Sequence, residues 1–467
     1  KDLILLWAAE DLLKLPNRGK ALEVGYEYFD DLVSRSFFHR SSNLTWGNYF
    51  VMHDLVHDLA LYLGGEFYFR SEELGKETKI GIKTRHLSVT EFSDPISDIE
   101  VFDRLQFLRT LLAIDFKDSS FNKGKAPGIV ASKLKMLTRL PTDMQNLVNL
   151  CHLHIDGTEI GEMPRGMGML SHLQHLDFFI VGNNKENGIK ELGTLSNLHG
   201  SLSIRNLENV TRSNEALEAR MMDKKHINHL SLEWSNGTDF QTQLDVLCKL
   251  KPHPGLESLT IGGYNGTIFP DWVGNFSYHN MTSLSLNGCN NCCVLPSLGQ
   301  LPSLKQLYIS RLKSVKTVDA GFYKNEDCPS SVTPFSSLET LYIGHMCCWE
   351  LWSIPESDAF PLLKSLTIED CPKLRGDLPN HLPALETLNI TRCQLLVSSL
   401  PRAPTLNILV IWKSNNVSLH VFPLLLEWID VEGSPMVESM IEAISSIEPT
   451  CLQRLRLRDC SSAISFP

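Results

Sequence analysis

Leucine and isoleucine return along most of this chain in one frame, Leu-x-x-Leu-x-Leu/Ile. It reads "LVNLCHLHI" (147–155), "LSHLQHLDF" (170–178), "GLESLTI" (255–261), "LPSLKQLYI" (301–309), "PLLKSLTI" (361–368), "PALETLNI" (383–390) and "CLQRLRL" (451–457). The last three positions of the frame alternate apolar, polar, apolar, which predicts a short strand with one face inward. The middle apolar residue falls at 153, 176, 202, 230, 259, 284, 307, 341, 366, 388, 409, 429 and 455, in steps of 20 to 34. One such unit cannot cover its own apolar face, but stacked copies can. Each fully buried leucine then contributes roughly 1.5–3 kcal/mol. The first 70 residues break this frame. "LILLWAAEDLL" (3–13) and "ALEVGYEYFDDLVSRSFF" (21–38) have helical apolar spacing, and "NLTWGNYFVMHDL" (43–55) runs through a turn-like, hairpin-like stretch. Together they predict a compact helical module of winged-helix type.

The spacing is that of leucine-rich repeats. The expected fold is therefore α/β: a leucine-rich-repeat solenoid with a curved parallel sheet, over 81–467, preceded by the small winged-helix-type module over 1–80. "TRHLSV" (84–89) reads as the first solenoid strand and "FLRTLLAID" (107–115) as the second. The gap from Leu111 to Leu153 spans nearly two repeats without a clean strand, and its polar stretch at 115–135 reads as irregular or disordered.

Composition narrows the function classes. The 467 residues are 43% apolar and 21% charged, with net charge −11, so a whole-chain role as an electrostatic nucleic-acid binder is excluded. No apolar run is long enough to span a membrane. The first residue is Lys1 and leads directly into helical sequence, which reads as a piece of a longer chain. Cys289, Cys371, Cys393 and Cys460 each stand three residues past a strand's last Leu or Ile. A small inward side chain fits there, so they read as buried reduced thiols. Asn-x-Ser/Thr triplets such as that at Asn389 point the other way, to a secreted chain. Asn389, however, falls inside a strand.

"VMHDLVHDLA" (51–60) holds two His-Asp pairs four residues apart. On a helix from Met52 to Leu63, residues Met52, Leu55, Val56, Leu59, Ala60 and Leu63 fill one arc. His53 lies at its edge, with Asp54 and Asp58 pointing away. The zinc motif His-Glu-x-x-His is a poor match, because Asp54 replaces the glutamate and no third ligand is evident. No metal site is expected. The sequence also lacks a Gly-x-x-x-x-Gly-Lys-Ser/Thr phosphate loop and a Gly-x-Ser-x-Gly elbow, and no enzyme activity is expected.

The phrases "LILLWAAEDLL", "EYFDDLVSRSFF", "MHDLVHDLA" and "RHLSV", followed by irregular repeats ending in "LP", resemble plant nucleotide-binding leucine-rich-repeat disease-resistance proteins of the coiled-coil class, over essentially the whole chain. The resemblance implies the winged-helix end of a nucleotide-binding (NB-ARC) region, closed by the Met-His-Asp motif, and then the repeats. By the same resemblance, His53 would face the β-phosphate of ADP in the intact protein, supported by Met52 and Asp54. The function implied is the recognition and autoinhibitory half of a cytoplasmic innate-immunity receptor, acting by protein–protein contact and an ADP/ATP switch. A stand-alone repeat adaptor or decoy without switching is the other reading. No cofactor is expected in this chain itself. The partners implied are the protein's own upstream nucleotide-binding domain and a pathogen effector or host protein. Contact is expected on outward strand positions, above all Trp412, Trp428, Asp430, Arg454, Arg456 and Arg458, with His152, His154, His175, Asp177 and Trp234 among further outward candidates.

Overall fold

The computed structural model describes residues 21–43, 47–70, 80–89, 105–113, 138–235, 240–325, 333–353, 359–414, 416–418, 423–433 and 451–458, and single positions 3, 4, 7, 12, 13, 437, 440, 441 and 444. The expected irregular stretch at 115–135 and Cys460 lie outside the described residues. The chain folds as two compact units, Lys1–Ser203 with Glu218–Arg220, and Ile204–Leu217 with Met221–Pro467.

The first unit opens on helix α1 (Ala21–Ser34). Ser36 takes the left-handed conformation, at φ 62°, and Phe37 N–H reaches back to the Leu32 carbonyl at 3.0 Å, a cap that stops the helix. Strands β1 (Phe38–Asn43) and β2 (Gly47–Met52) then form an antiparallel hairpin, pairing Phe38 with Met52 and Asn43 with Gly47. Phe29 of α1 holds the hairpin, stacking on Phe38 at 5.3 Å and meeting Phe50 edge-on at 4.8 Å. Gly25, one turn before Phe29, permits close approach to α1, since a Cβ there would fall 2.1 Å from the Ile4 side chain. Helix α2 (Asp54–Gly64) follows directly.

Parallel strands come next: β3 (Tyr68–Arg70), β4 (His86–Val89), β5 (Thr110–Ala113), β6 (His152–His154) and β7 (His175–Leu176), ordered as in the chain. The sheet thus begins one strand before the expected "TRHLSV". Tyr68–Arg70 is too short to show the leucine frame, yet Tyr68 stacks on His86 at 4.5 Å and fixes the register. Strand β8 (Phe178–Ile180) follows, and the division between the units falls within β9 (His199–Arg205).

The second unit is the regular part of the solenoid. Its strands are β10 (His226–Glu233), β11 (Ser258–Gly262), β12 (Ser283–Asn287) and β13 (Gln306–Ser310). After β14 (Thr317–Val318) come β15 (Thr340–Gly344), β16 (Leu351–Trp352), β17 (Ser365–Glu369) and β18 (Thr387–Thr391). Then follow β19 (Ser398–Ser399), β20 (Ile408–Trp412), β21 (Val417–Ser418), β22 (Trp428–Glu432) and β23 (Arg454–Arg458). The long strands form one parallel sheet, while β14 pairs β16 and β19 pairs β21 in the return segments. The leucine frame sets the register: Leu259, Leu284, Leu307, Leu341, Leu366, Leu388, Leu409, Ile429 and Leu455 face one another coil to coil. All of these are buried except Leu455 on the last strand, which is half-buried.

Leaving the sheet, seven of the coils make the same turn. The second residue past the strand's last buried Leu or Ile has positive φ: Gly263, Gly288, Arg311, His345, Asp370, Arg392 and Lys413. The residue after it turns inward and is fully buried, as at Tyr264, Cys289, Leu312, Met346, Cys371, Cys393 and Ser414. Left-handed backbone costs a side-chain-bearing residue roughly 1–2 kcal/mol. A backbone ladder compensates: Arg311 N–H bonds the Gly344 carbonyl at 3.0 Å, and His345, Asp370 and Arg392 repeat the bond to the next coil at 2.8 Å. The thiols at 289, 371 and 393 are free and buried, in the slot expected of them. The hydrogen-bonded neighbouring thiol Cys393, and after it burial, push Cys371 well above the ordinary thiol range.

Candidate functional site

The structure places the Met-His-Asp residues at a strand-to-helix junction. Met52 ends β2, His53 is extended at φ −60° and ψ 138°, and α2 starts only at Asp54. The expected helix from Met52 thus starts two residues too early, because Met52 belongs to β2 and His53 N–H still pairs with the Phe37 carbonyl, at 3.0 Å, as a strand residue would. The Leu55 N–H lies 3.2 Å from His53 Nδ1 and 2.8 Å from Asp54 Oδ1, so both side chains cap the helix. His53 Nδ1 lies 2.7 Å from Asp54 Oδ1. The His39 ring sits 5.3 Å away. The apolar arc of α2 is exposed rather than buried: Leu55 is 71%, Leu59 55% and Leu63 69% accessible.

The outward residues near the end of the second unit's sheet come together as one cluster. The Arg454 guanidinium lies over the Trp428 ring at 4.8 Å, and that of Arg458 over Trp412 at 4.9 Å. Asp430 joins them. It accepts from Trp412 Nε1 at 3.0 Å, from Arg456 at 3.3 Å and from Arg458 at 3.4 Å. Asp430 was expected outward and exposed, but these neighbours cover it, leaving it 2% accessible. The two rings and three guanidiniums remain at the surface and are held in place before any partner arrives. Trp234, expected outward, is buried against Tyr264 at 5.4 Å. The alternation explains it: Leu232 points in, Glu233 out and Trp234 in.

In the first unit, β6 and β7 bring His154 together with His175 and Asp177, 21 and 23 residues further along the chain. Asp177 lies 3.0 Å from His154 Nδ1 and 2.9 Å from His175 Nε2. Burial raises the Asp177 pKa, but hydrogen bonds from the two imidazoles outweigh it and hold the carboxyl below the usual carboxylate range. His152 beside them is 4% accessible, and burial, reinforced by the charge of His175, lowers its pKa to about 3. The sequence marks these residues as outward, but their convergence comes from strand register, pairing His152 with His175. No helix among the described residues is long and apolar enough to cross a membrane.

The architecture defines a class: a hairpin-bearing helical module of winged-helix type followed by leucine-rich repeats. Comparison with known proteins makes it specific. Residues 1–60 match the winged helix domain of disease resistance proteins, residues 189–312 the R13L1/DRL21 leucine-rich repeats, and residues 303–457 the repeats of an FBD-associated F-box protein. A disease resistance RPP13-like protein 1 of Arabidopsis thaliana is 31% identical over all of this chain and 52% of its own length. A second Arabidopsis disease resistance protein is 34% identical over 85% of the chain and 33% of its own length. The disease resistance protein RGA2 of Solanum bulbocastanum is 28% identical over 84% of the chain and 43% of its own length. The chain belongs to the plant disease-resistance proteins of the nucleotide-binding leucine-rich-repeat family, and carries their winged-helix and repeat portion. It spans about half the length, or less, of these relatives.

Proposed function

We propose that this chain is the recognition and autoinhibitory half of a cytoplasmic plant immune receptor, working by protein–protein contact and without enzyme activity of its own. The observation that carries the reading is the Trp-Arg cluster at 412–458. Tryptophan and arginine are the residue types that anchor interfaces, and rigid anchors lose little entropy on binding. Here one buried carboxylate holds the Trp412–Arg458 stack together with Arg456. The partners we assign to it are the protein's own nucleotide-binding domain and a pathogen effector or host protein. The test is co-precipitation of this chain with the nucleotide-binding domain of the same receptor. Trp428→Ala with Arg456→Glu is expected to reduce recovery at least tenfold. Undiminished recovery rejects the surface.

The switch belongs to the intact protein. One imidazole, at a helix start already occupied by the Asp54 carboxylate, does not make a nucleotide pocket. In the intact receptor His53 would add a charge-assisted hydrogen bond to the β-phosphate of ADP, with Asp54 offsetting the imidazolium charge and Met52 fixing the strand end. Such a bond is worth about 1.5–3 kcal/mol. His53→Ala in the intact receptor should therefore speed ADP release roughly 10- to 150-fold. Release at the wild-type rate would remove His53 from the switch.

A further inference from the structure

We propose that His154, His175 and Asp177 bind one divalent transition-metal ion, and that zinc suits their donors best. The reading does not depend on the receptor function above. Two imidazole nitrogens and a carboxylate oxygen converge so that all three donor atoms lie within 4.8 Å of one another. Zinc takes nitrogen and oxygen donors at about 2.0–2.2 Å, which sets tetrahedral donors about 3.4 Å apart. The carboxylate-to-imidazole distances of 2.9 and 3.0 Å lie a few tenths of an ångström from that spacing. A small opening of the side chains, with the imidazoles drawing together, admits the ion.

The carboxylate is oriented for the task. Asp177 Oδ2 accepts the backbone N–H of Ile155 at 2.6 Å and of Asp156 at 2.9 Å. These bonds fix the carboxylate plane and direct Oδ1 to both imidazoles, as the outer contacts of a metal ligand do. The strands supply the rigidity: His-x-His on β6 and His-x-Asp at β7 lie on adjacent parallel chains, with His152 opposite His175. Side chains two apart on one strand share a face, so the arrangement follows from backbone geometry alone.

The site is half-buried rather than sealed: His154 is 33%, His175 13% and Asp177 12% accessible at the side chain, so an ion and a completing water can enter. Bound there, the ion would staple two neighbouring coils.

The probe is the metal itself. The chain is freed of metal with a chelator and titrated with Zn²⁺ against a competing indicator, then with Co²⁺ as a spectroscopic stand-in. One ion per chain is expected, with visible Co²⁺ absorption of a low-coordinate nitrogen/oxygen site. His175→Ala should weaken binding at least tenfold, and His57→Ala, on exposed α2, should leave it unchanged. Asp177→Asn loosens the backbone at 155–156, so His154→Gln serves as the second variant, and circular dichroism checks that each folds. Stoichiometry no higher in wild type than in the His154→Gln, His175→Ala double variant overturns the proposal. So does an X-ray absorption spectrum of the zinc-loaded chain lacking imidazole ligation.

Discussion

Helix α2 and the strands of the second unit carry the same kind of sequence, leucines at fixed spacing between polar residues. In the strands the leucines are sealed: Leu259, Leu307 and Leu366 are 1% accessible or less. On α2 they are open, and Tyr62 beside them is 84% accessible. Spacing says which residues share a face. It does not say what covers that face. A repeat carries its own cover, since the next coil presents the same leucines in register. A single helix needs a surface from elsewhere, and exposed apolar area of this kind marks an interaction site. Under the function proposed above, that surface is the nucleotide-binding domain of the intact receptor.

The largest effect that tests this contrast comes from a stacked leucine. Leu307 lies between Leu284 and Leu341 and is fully buried. Leu307→Ala should cost about 2–5 kcal/mol, because the neighbouring coils cannot close the cavity without breaking register. Denaturant unfolding measures it, and a loss under about 1 kcal/mol would mean the coils pack loosely.

The next effect concerns the outward face. Asp430→Ala removes the acceptor shared by Trp412, Arg456 and Arg458. Both guanidiniums are about half exposed and can turn to water, so the cost should be about 1–2 kcal/mol rather than that of a sealed ion pair. Trp412 should gain mobility, read from tryptophan fluorescence anisotropy. Unchanged anisotropy would mean that the aspartate does not hold the Trp412 ring.

Smaller still is the effect of a turn residue. Lys413 stands in the left-handed slot at φ 50°, where Gly263 stands two coils before Arg311. Lys413→Gly relieves roughly 1–2 kcal/mol of backbone strain and loses about 0.5–1 kcal/mol through the freer unfolded chain. A net gain of up to about 1 kcal/mol is expected. Gly263→Ala should do the reverse, since its Cβ would lie 1.9 Å from the Trp234 carbonyl oxygen. If both variants shift stability in the same direction, the slot is not equivalent from coil to coil.

These residues also show what the sequence discloses. The strand frame was legible because alternation and spacing are local, and the hairpin because Asn43 and Gly47 punctuate it. The left-handed slot was harder to see, since Gly263 and Gly288 give way to Arg311, His345 and Asp370, which only the backbone ladder reveals. The aromatic packing of Phe322, Tyr323, Phe335, Trp352 and Phe360 left no periodic trace, because it lies in return segments of unequal length. The Trp-Arg residues were legible as outward, but not the burial of Asp430 beneath them. The convergence of His154, His175 and Asp177 was hidden for the same reason: a sequence shows one strand at a time, and register joins two.

The smallest effect on stability should come from α2 itself, and it separates the two regions most sharply. Leu59→Ser with Leu63→Ser removes apolar area that already faces water, so the chain should lose no more than about 0.5 kcal/mol per site. Helix propensity accounts for most of that loss, because serine is a weaker helix former than leucine. Under the proposed function, the same double variant placed in the intact receptor meets a covered face instead. There each leucine should behave as Leu307 does in the solenoid, and the variant should loosen the winged helix from the nucleotide-binding domain. Paired unfolding curves of the two proteins decide the matter. A large loss in this chain alone would show that α2 is packed in solution, and an equally small loss in both would show that nothing covers it.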